Sequence, residues 1–286
     1  EKAVSGLPQR NCAVAAAAMS TLSDMENCAI GIICGVSDTT LLQSTNYWKN
    51  AQQQGLPFTL DPRVLYRGYL ANTLNNGLCV MSQFFLNGVI KNALTGGTKR
   101  ELSSAEKIGA GVGAGVLSSV VGSPMELIMI QQQVKGTGLI QTAINMVKGG
   151  PLLARGSIGM MGREGIYCGG YLGIMPVVRE KLRADYPTSL GKTEDSARLF
   201  ATMIAGPICS FFSHPPDTMK TCLQGDIEGA KYRTYIGTCR TLIAERGLGS
   251  LWAGMPWRVF RQFCAIFLFD KINSELAPVI FPHAFK

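Results

Sequence analysis

Apolar residues in this chain gather in six long stretches, each interrupted by single polar positions. They run from Thr21 to Asn46, Asn72 to Thr95, Ser103 to Gln133, Gly159 to Ala184, Glu194 to Gln224 and Pro256 to Ala277. Their length and spacing predict α-helices. No run of about 18 uninterrupted apolar residues occurs, so none reads as a simple membrane span. Helices that line a shared polar cavity fit this pattern, because they carry polar residues on one face only. Ser103 with Glu106 forms a capping box at the head of the third helix. Small residues recur at i, i+4 in the third helix (Gly109 and Gly113, Gly111 and Gly115) and in the fourth (Gly165, Gly169, Gly173), a spacing that lets helix backbones approach closely in a bilayer. Gly109-Ala110-Gly111-Val112-Gly113 is not read as a nucleotide loop, because no strand precedes it and a capped helix contains it.

The fifth stretch ends in His214-Pro215-Pro216-Asp217-Thr218-Met219-Lys220, with Gln224 four residues on. Acid and base lie one helical turn apart there, and the prolines before them can kink the helix. The pattern recurs. Ser123-Pro124-Met125-Glu126, with Met129 and Gln133 at the base and glutamine positions, lies 91 residues earlier. A further step of 88 residues reaches Asp38, with Leu41 and Thr45 following. Arg67-Gly68 and Arg155-Gly156 share that step of 88, and Ala253-Gly254 supplies the third copy. Three tandem units are therefore expected at 20–97, 98–188 and 189–286, after an extension at 1–19 that lacks the features of a signal peptide.

Composition narrows the class. Charged residues make up only 16% of the chain, well below the roughly 25% of soluble domains. The net charge of +8 is dispersed rather than gathered into an aromatic-interleaved basic stripe, which suits an anionic membrane surface better than nucleic acid. Nine cysteines without a C-x-x-C pair, and only two histidines, indicate neither a zinc nor a redox site. No nucleophile–base pair or metal cluster is legible, so no enzymatic chemistry, cofactor or metal is assigned.

Three segments in the register of Pro-x-acid-x-x-base, complete only in the third copy, close the odd helices; each followed by an amphipathic connection and a glycine turn, they resemble the mitochondrial carrier family. Tyr232 to Gly237 and Glu245 to Gly254 complete the third copy. The resemblance implies an all-α membrane protein: six transmembrane helices in three two-helix repeats with short amphipathic matrix helices, forming a pseudo-threefold bundle in the inner mitochondrial membrane. It implies a matrix gate in which the base of one repeat pairs with the acid of the next. Leu41 and Met129 cannot supply a base, so Lys220 with Asp38 is expected to be the surviving pair, leaving Glu126 and Asp217 without the family's partner and Gln133 and Gln224 as braces. An opposite gate is expected from Asp270 with Lys91 or Arg179. Substrate contacts are expected seven residues past each repeat glycine, at Asn75, Arg163 (with Glu164 beside it) and Arg261, with Arg258 a rival for the last role. Cardiolipin phosphates are expected at Arg67, Gly68, Arg155, Gly156 and Gly254, where even-helix N-termini attract anions. Two functions follow: transport of a small anionic or zwitterionic metabolite by alternating access, or, because two matrix pairs look lost, a structural subunit of a larger inner-membrane assembly.

Overall fold

A computed structural model describes residues 24–96, 100–190 and 193–285. The extension at 1–19 and Thr21 lie outside the described residues. Within them the chain is helical, with no strand. The long helices are α1 (Asp24–Gln54), α2 (Tyr69–Thr95), α3 (Ser104–Lys135), α4 (Ser157–Cys168, running through a π turn at Gly169–Ile174 into Met175–Asp185), α5 (Glu194–Gly225) and α6 (Met255–Lys271). A short helix precedes each even one: Pro62–Leu65, Leu139–Lys148 and Tyr235–Arg246. The Ser103–Glu106 capping box forms as the sequence predicts, with Glu106 N–H donating to Ser103 Oγ and Ser103 N–H to the Glu106 carboxylate. Pro124, Pro207, Pro215 and Pro216 are all carried inside helices.

Each long helix packs on its neighbour in sequence, and α6 returns to pack on α1, so the six close into a ring. The burial pattern is the reverse of a water-soluble protein. Gln43, Gln53, Gln131, Asp217 and Lys220 are fully buried, while Phe85, Val120, Phe212 and Phe267 are 61–72% exposed on the outer faces. Polar groups inside and large apolar groups outside are what a bilayer requires of helices around a polar interior. Helix α3 is the one span, among the described residues, that qualifies as membrane-crossing by length and composition alone. The other long helices reach similar lengths but carry polar faces.

The small-residue seams bring α3 and α4 together. A methyl group on Gly111 would meet the Cys168 carbonyl at 2.8 Å, one on Gly115 would strike the Glu164 carbonyl, and one on Gly173 would meet Ile108 Cα at 2.5 Å. Gly113 turns instead toward Ile90 of α2, and Gly109 touches nothing. Gly115→Val is expected to force α3 from α4 and destabilise the protein by about 2 kcal/mol or more. Gly109→Ala is expected to be neutral or to stabilise by about 0.5–1 kcal/mol, as glycine is costly within helices. Thermal unfolding of the two variants in detergent checks both.

Gly68, Gly156 and Gly254 precede the even helices at φ of 76°, 85° and 84°. Each sits against an odd helix further round the ring: Gly68 on Met129, Gly156 on Gln224 and Gly254 on Lys49. The contacts of Gly68 and Gly254 make Met129 and Lys49 equivalent. This overturns the alignment of Leu41 with Met129, and α1 correspondingly runs on past Asn46 to Gln54. In the corrected register Asn46, Lys49 and Gln53 take the acid, base and glutamine positions of the first copy. The connection that follows is shorter than in the other two.

Candidate functional site

The C-terminal ends of α1, α3 and α5 meet in a buried polar cluster. Lys49 Nζ lies 2.8 Å from Asp217 Oδ2. Lys220 Nζ lies 2.6 Å from Glu126 Oε1 and 2.9 Å from Asp217 Oδ1. The third side of the triangle is neutral: Asn46 donates to Met129 Sδ at 3.6 Å, and Asn50 Nδ2 donates to Gln133 Oε1 at 2.8 Å. Gln53 Nε2 donates to Asp217 Oδ2 at 3.0 Å and to Thr218 Oγ1 at 3.2 Å. Gln224 donates to the carbonyls of Ser123 and Arg155, and Gln131 to the carbonyl of Gln224. These ions are 7% exposed or less. Burial so complete is tolerable only because each charge has an opposite partner and further hydrogen bonds.

The expected Lys220–Asp38 pair does not form. Asp38 lies eight residues before Asn46 on α1, about 12 Å along the helix axis at 1.5 Å per residue, and pairs instead with Arg261 of α6 at 2.5 Å. Pairing runs from the acid of one unit to the base of the next, Glu126 to Lys220 and Asp217 to Lys49, opposite to the direction expected. Lys49, Gln53, Asn46 and Asn50 were missed. The spacing Lys49-x-x-x-Gln53, matching Lys220-x-x-x-Gln224, was the available signal.

The expected substrate residues occupy the layer beside this cluster. Arg163 reaches Glu126 at 3.2 Å and Asp217 at 3.4 Å, and also pairs with its neighbour Glu164. Glu164 Oε2 accepts from Gln83 Nε2 at 2.9 Å, and Gln83 Oε1 from the Tyr171 hydroxyl at 2.9 Å. Asn75 is buried on α2, its Oδ1 facing the Cys79 thiol at 3.4 Å. Arg258 donates to Ser213 Oγ at 2.8 Å and stacks on the Tyr167 ring at 5.7 Å, with His214 Nδ1 at 3.5 Å. Arg258 and Arg261 lie one turn apart on α6, so their side chains share a face.

At the far end, Lys107 of α3 pairs with Glu180 of α4 at 3.0 Å. Lys91 and Arg179 are half-buried. The Asp270 side chain lies outside the described residues.

The arginines assigned to lipid do another job. Arg155 Nε and Nη2 donate to the carbonyls of Leu223, Asp226 and Tyr232 at 2.5–2.8 Å, holding the C-terminal end of α5. A guanidinium is favoured there by the carbonyl end of the helix dipole. Arg155 thus sits against backbone carbonyls at the end of α5, beside the N-terminus of α4 where an anion is expected. Arg67 lies over Gly136, the residue that ends α3. The third unit has Ala253 at this position, and Arg246 takes over, donating to the carbonyls of Gln53 and Gln54 at the end of α1. In the turn after α5, burial pushes the Asp226 carboxyl up, but backbone N–H bonds from Tyr232, Lys231 and Ala230 outweigh it and hold it below the usual carboxylate range.

Seven cysteines among the described residues are free, and five are buried. They pack, as the apolar residues flanking most of them suggest.

The sequence matches the family described as mitochondrial carrier protein over residues 192–274. It is 28% identical to mitochondrial uncoupling protein 4 of Arabidopsis thaliana over 69% of this chain and 66% of that protein. It is 28% identical to the mitochondrial 2-oxodicarboxylate carrier of Rattus norvegicus over 53% and 55%, respectively. It is 26% identical to the tricarboxylate transport protein of Saccharomyces cerevisiae over 75% and 74%. The match thus spans less than two thirds of the first two relatives' lengths.

Proposed function

We propose that the chain is a member of the mitochondrial carrier family and that it moves a small anionic or zwitterionic metabolite by alternating access. It is a multi-pass protein of the inner mitochondrial membrane and a carrier rather than an enzyme. The observation that carries the reading is the cluster of Lys49–Asp217 and Glu126–Lys220 pairs closing one end of the six-helix ring. Buried pairs of this kind are near break-even between desolvation and attraction. They can form in one state and part in the other without a prohibitive barrier, which is what a gate needs.

In this reading the three units at 20–97, 98–188 and 189–286 each supply one side of the matrix gate. The ends of α2, α4 and α6, with Lys91, Arg179 and Asp270, form the opposite gate. Arg163, Glu164, Arg258, Arg261 and Asn75 face the substrate between them. Two of these relatives are named for 2-oxodicarboxylate and tricarboxylate transport, in keeping with arginines at the site. Cardiolipin is proposed at the turns of Gly68, Gly156 and Gly254, through backbone N–H groups rather than through Arg155.

The alternative of a structural subunit rested on two lost matrix pairs. Lys49 and Lys220 supply two pairs of the three, which removes that ground. Uptake into proteoliposomes across a panel of anionic and zwitterionic metabolites tests the proposal. Saturable uptake of at least one is expected; none by folded protein would overturn it.

A further inference from the structure

The interior charges can be matched one by one. In the gate layer Lys49, Lys220 and Arg163 face Glu126, Asp217 and Glu164, three bases against three acids. One turn and more away, Arg261 faces Asp38. Arg258, between them, donates to Ser213 and faces His214 and the Tyr167 ring; Asp217 and Glu164 act on it only from a distance, and no carboxylate among the described residues bonds it directly. Among the described residues of these two layers, one cation therefore has no directly bonded carboxylate, and it lies one helical turn from a cation already paired.

The Asp38–Arg261 pair is itself half made. Oδ2 of Asp38 receives Arg261, while Oδ1 is buried with no hydrogen-bond partner. A plain dicarboxylate that took both arginines would draw Arg261 from Asp38 and leave that carboxylate buried beside the ligand's own charge, which is costly. A neutral amino acid would satisfy Asp38 and Arg261 but leave Arg258 unmatched. A ligand with one ammonium and two carboxylates leaves nothing unpaired: the ammonium goes to Asp38 Oδ1, one carboxylate to Arg261 and the other to Arg258.

We propose that the substrate of this site is a net-monoanionic aminodicarboxylate, an acidic amino acid in chemical class, read by Asp38 together with Arg258 and Arg261. This rests on the carrier reading above and narrows it. Asp38 in this reading is the group that tells amino acids from dicarboxylates, not a gate residue.

The test is thermal stabilisation of the purified full chain in detergent, which reads binding without requiring transport, since a ligand that binds only the folded state raises its stability. L-aspartate and L-glutamate are expected to raise the Tm. Succinate, glutarate and L-alanine at equal concentration are expected to shift it several-fold less. Asp38→Asn is expected to weaken aminodicarboxylate binding at least tenfold and to raise that of succinate or glutarate. Arg258→Gln is expected to move the preference toward L-alanine. Equal shifts by aspartate and succinate, an unchanged preference in Asp38→Asn, or no shift by any of the five would each overturn the proposal. If proteoliposomes still take up another metabolite, only the substrate class is lost. If they take up nothing, the carrier reading fails with it.

Discussion

Asp217→Ala is expected to lower stability by about 3–5 kcal/mol, the range seen when one partner of a buried ion pair is removed. Asp217 accepts from Lys49 at 2.8 Å, Lys220 at 2.9 Å, Gln53 at 3.0 Å and Arg163 at 3.4 Å. Its loss leaves three buried cations facing the two remaining carboxylates, Glu126 and Glu164. For a chain of this size that corresponds to a fall in Tm on the order of 10 °C, readable in detergent. Uptake is expected to fall at least tenfold, because the closed gate loses the acid that joins α5 to α1. Asp217→Asn, which keeps hydrogen bonds from Gln53 and the lysines, is expected to be milder in both measurements.

The second large effect comes from completing the triangle. Asn46 and Met129 occupy the acid and base positions of the one neutral side and already touch. Met129→Lys alone buries a cation without an acid and is expected to destabilise. With Asn46→Asp added, the new pair joins α1 to α3 as Lys49–Asp217 joins α1 to α5. The lysine has room, because Lys49 rests on Gly254 in the way Met129 rests on Gly68. Stability is expected to recover toward that of the natural chain, while uptake slows. A further pair that must be broken in every cycle raises the barrier, and about 1.4 kcal/mol is a factor of ten in rate. Initial uptake rates and Tm of the single and double variants check it. Faster uptake in the double variant would show that this side does not open.

Much of the fold could be read from the chain. Six apolar stretches with polar interruptions became the six helices of the ring, and Ser103–Glu106 capped α3 as expected. The glycine seams marked the α3–α4 contact, although spacing alone could not say that Gly109 faces nothing or that Gly113 faces α2. The third unit was the most legible because Pro215, Asp217, Lys220 and Gln224 are all present, and the family match falls on that part of the chain.

The first unit was misread for a physical reason. Its acid is replaced by Asn46 and its proline by Ser44, so neither a carboxylate nor a proline marks the motif there. The step of 88 residues that separates Gly68 from Gly156 falls on Asp38 when taken back from Glu126. The shorter connection after Lys49 hid the true register, which only the contacts of Gly68 and Gly254 made plain. Lys49 then emerged as the base that pairs with Asp217. Arg163 and Glu164, expected together as substrate contacts, also pair with each other although they are neighbours in sequence. The role of Arg246 at the end of α1 could not be read from sequence, since it depends on a turn placed against a helix nearly 200 residues away.

The central claim is that Lys49 and Asp217 act as one unit in closing the ring. The measurement that bears on it most directly is a double-mutant cycle of Lys49→Met and Asp217→Asn, read as Tm, beside the same cycle for Lys220→Met and Asp38→Asn. The Lys49 and Asp217 losses are expected to be strongly non-additive, the second change costing little once the first is made, and the Lys220 and Asp38 losses to add. Additive losses at Lys49 and Asp217, with coupling between Lys220 and Asp38, would contradict it.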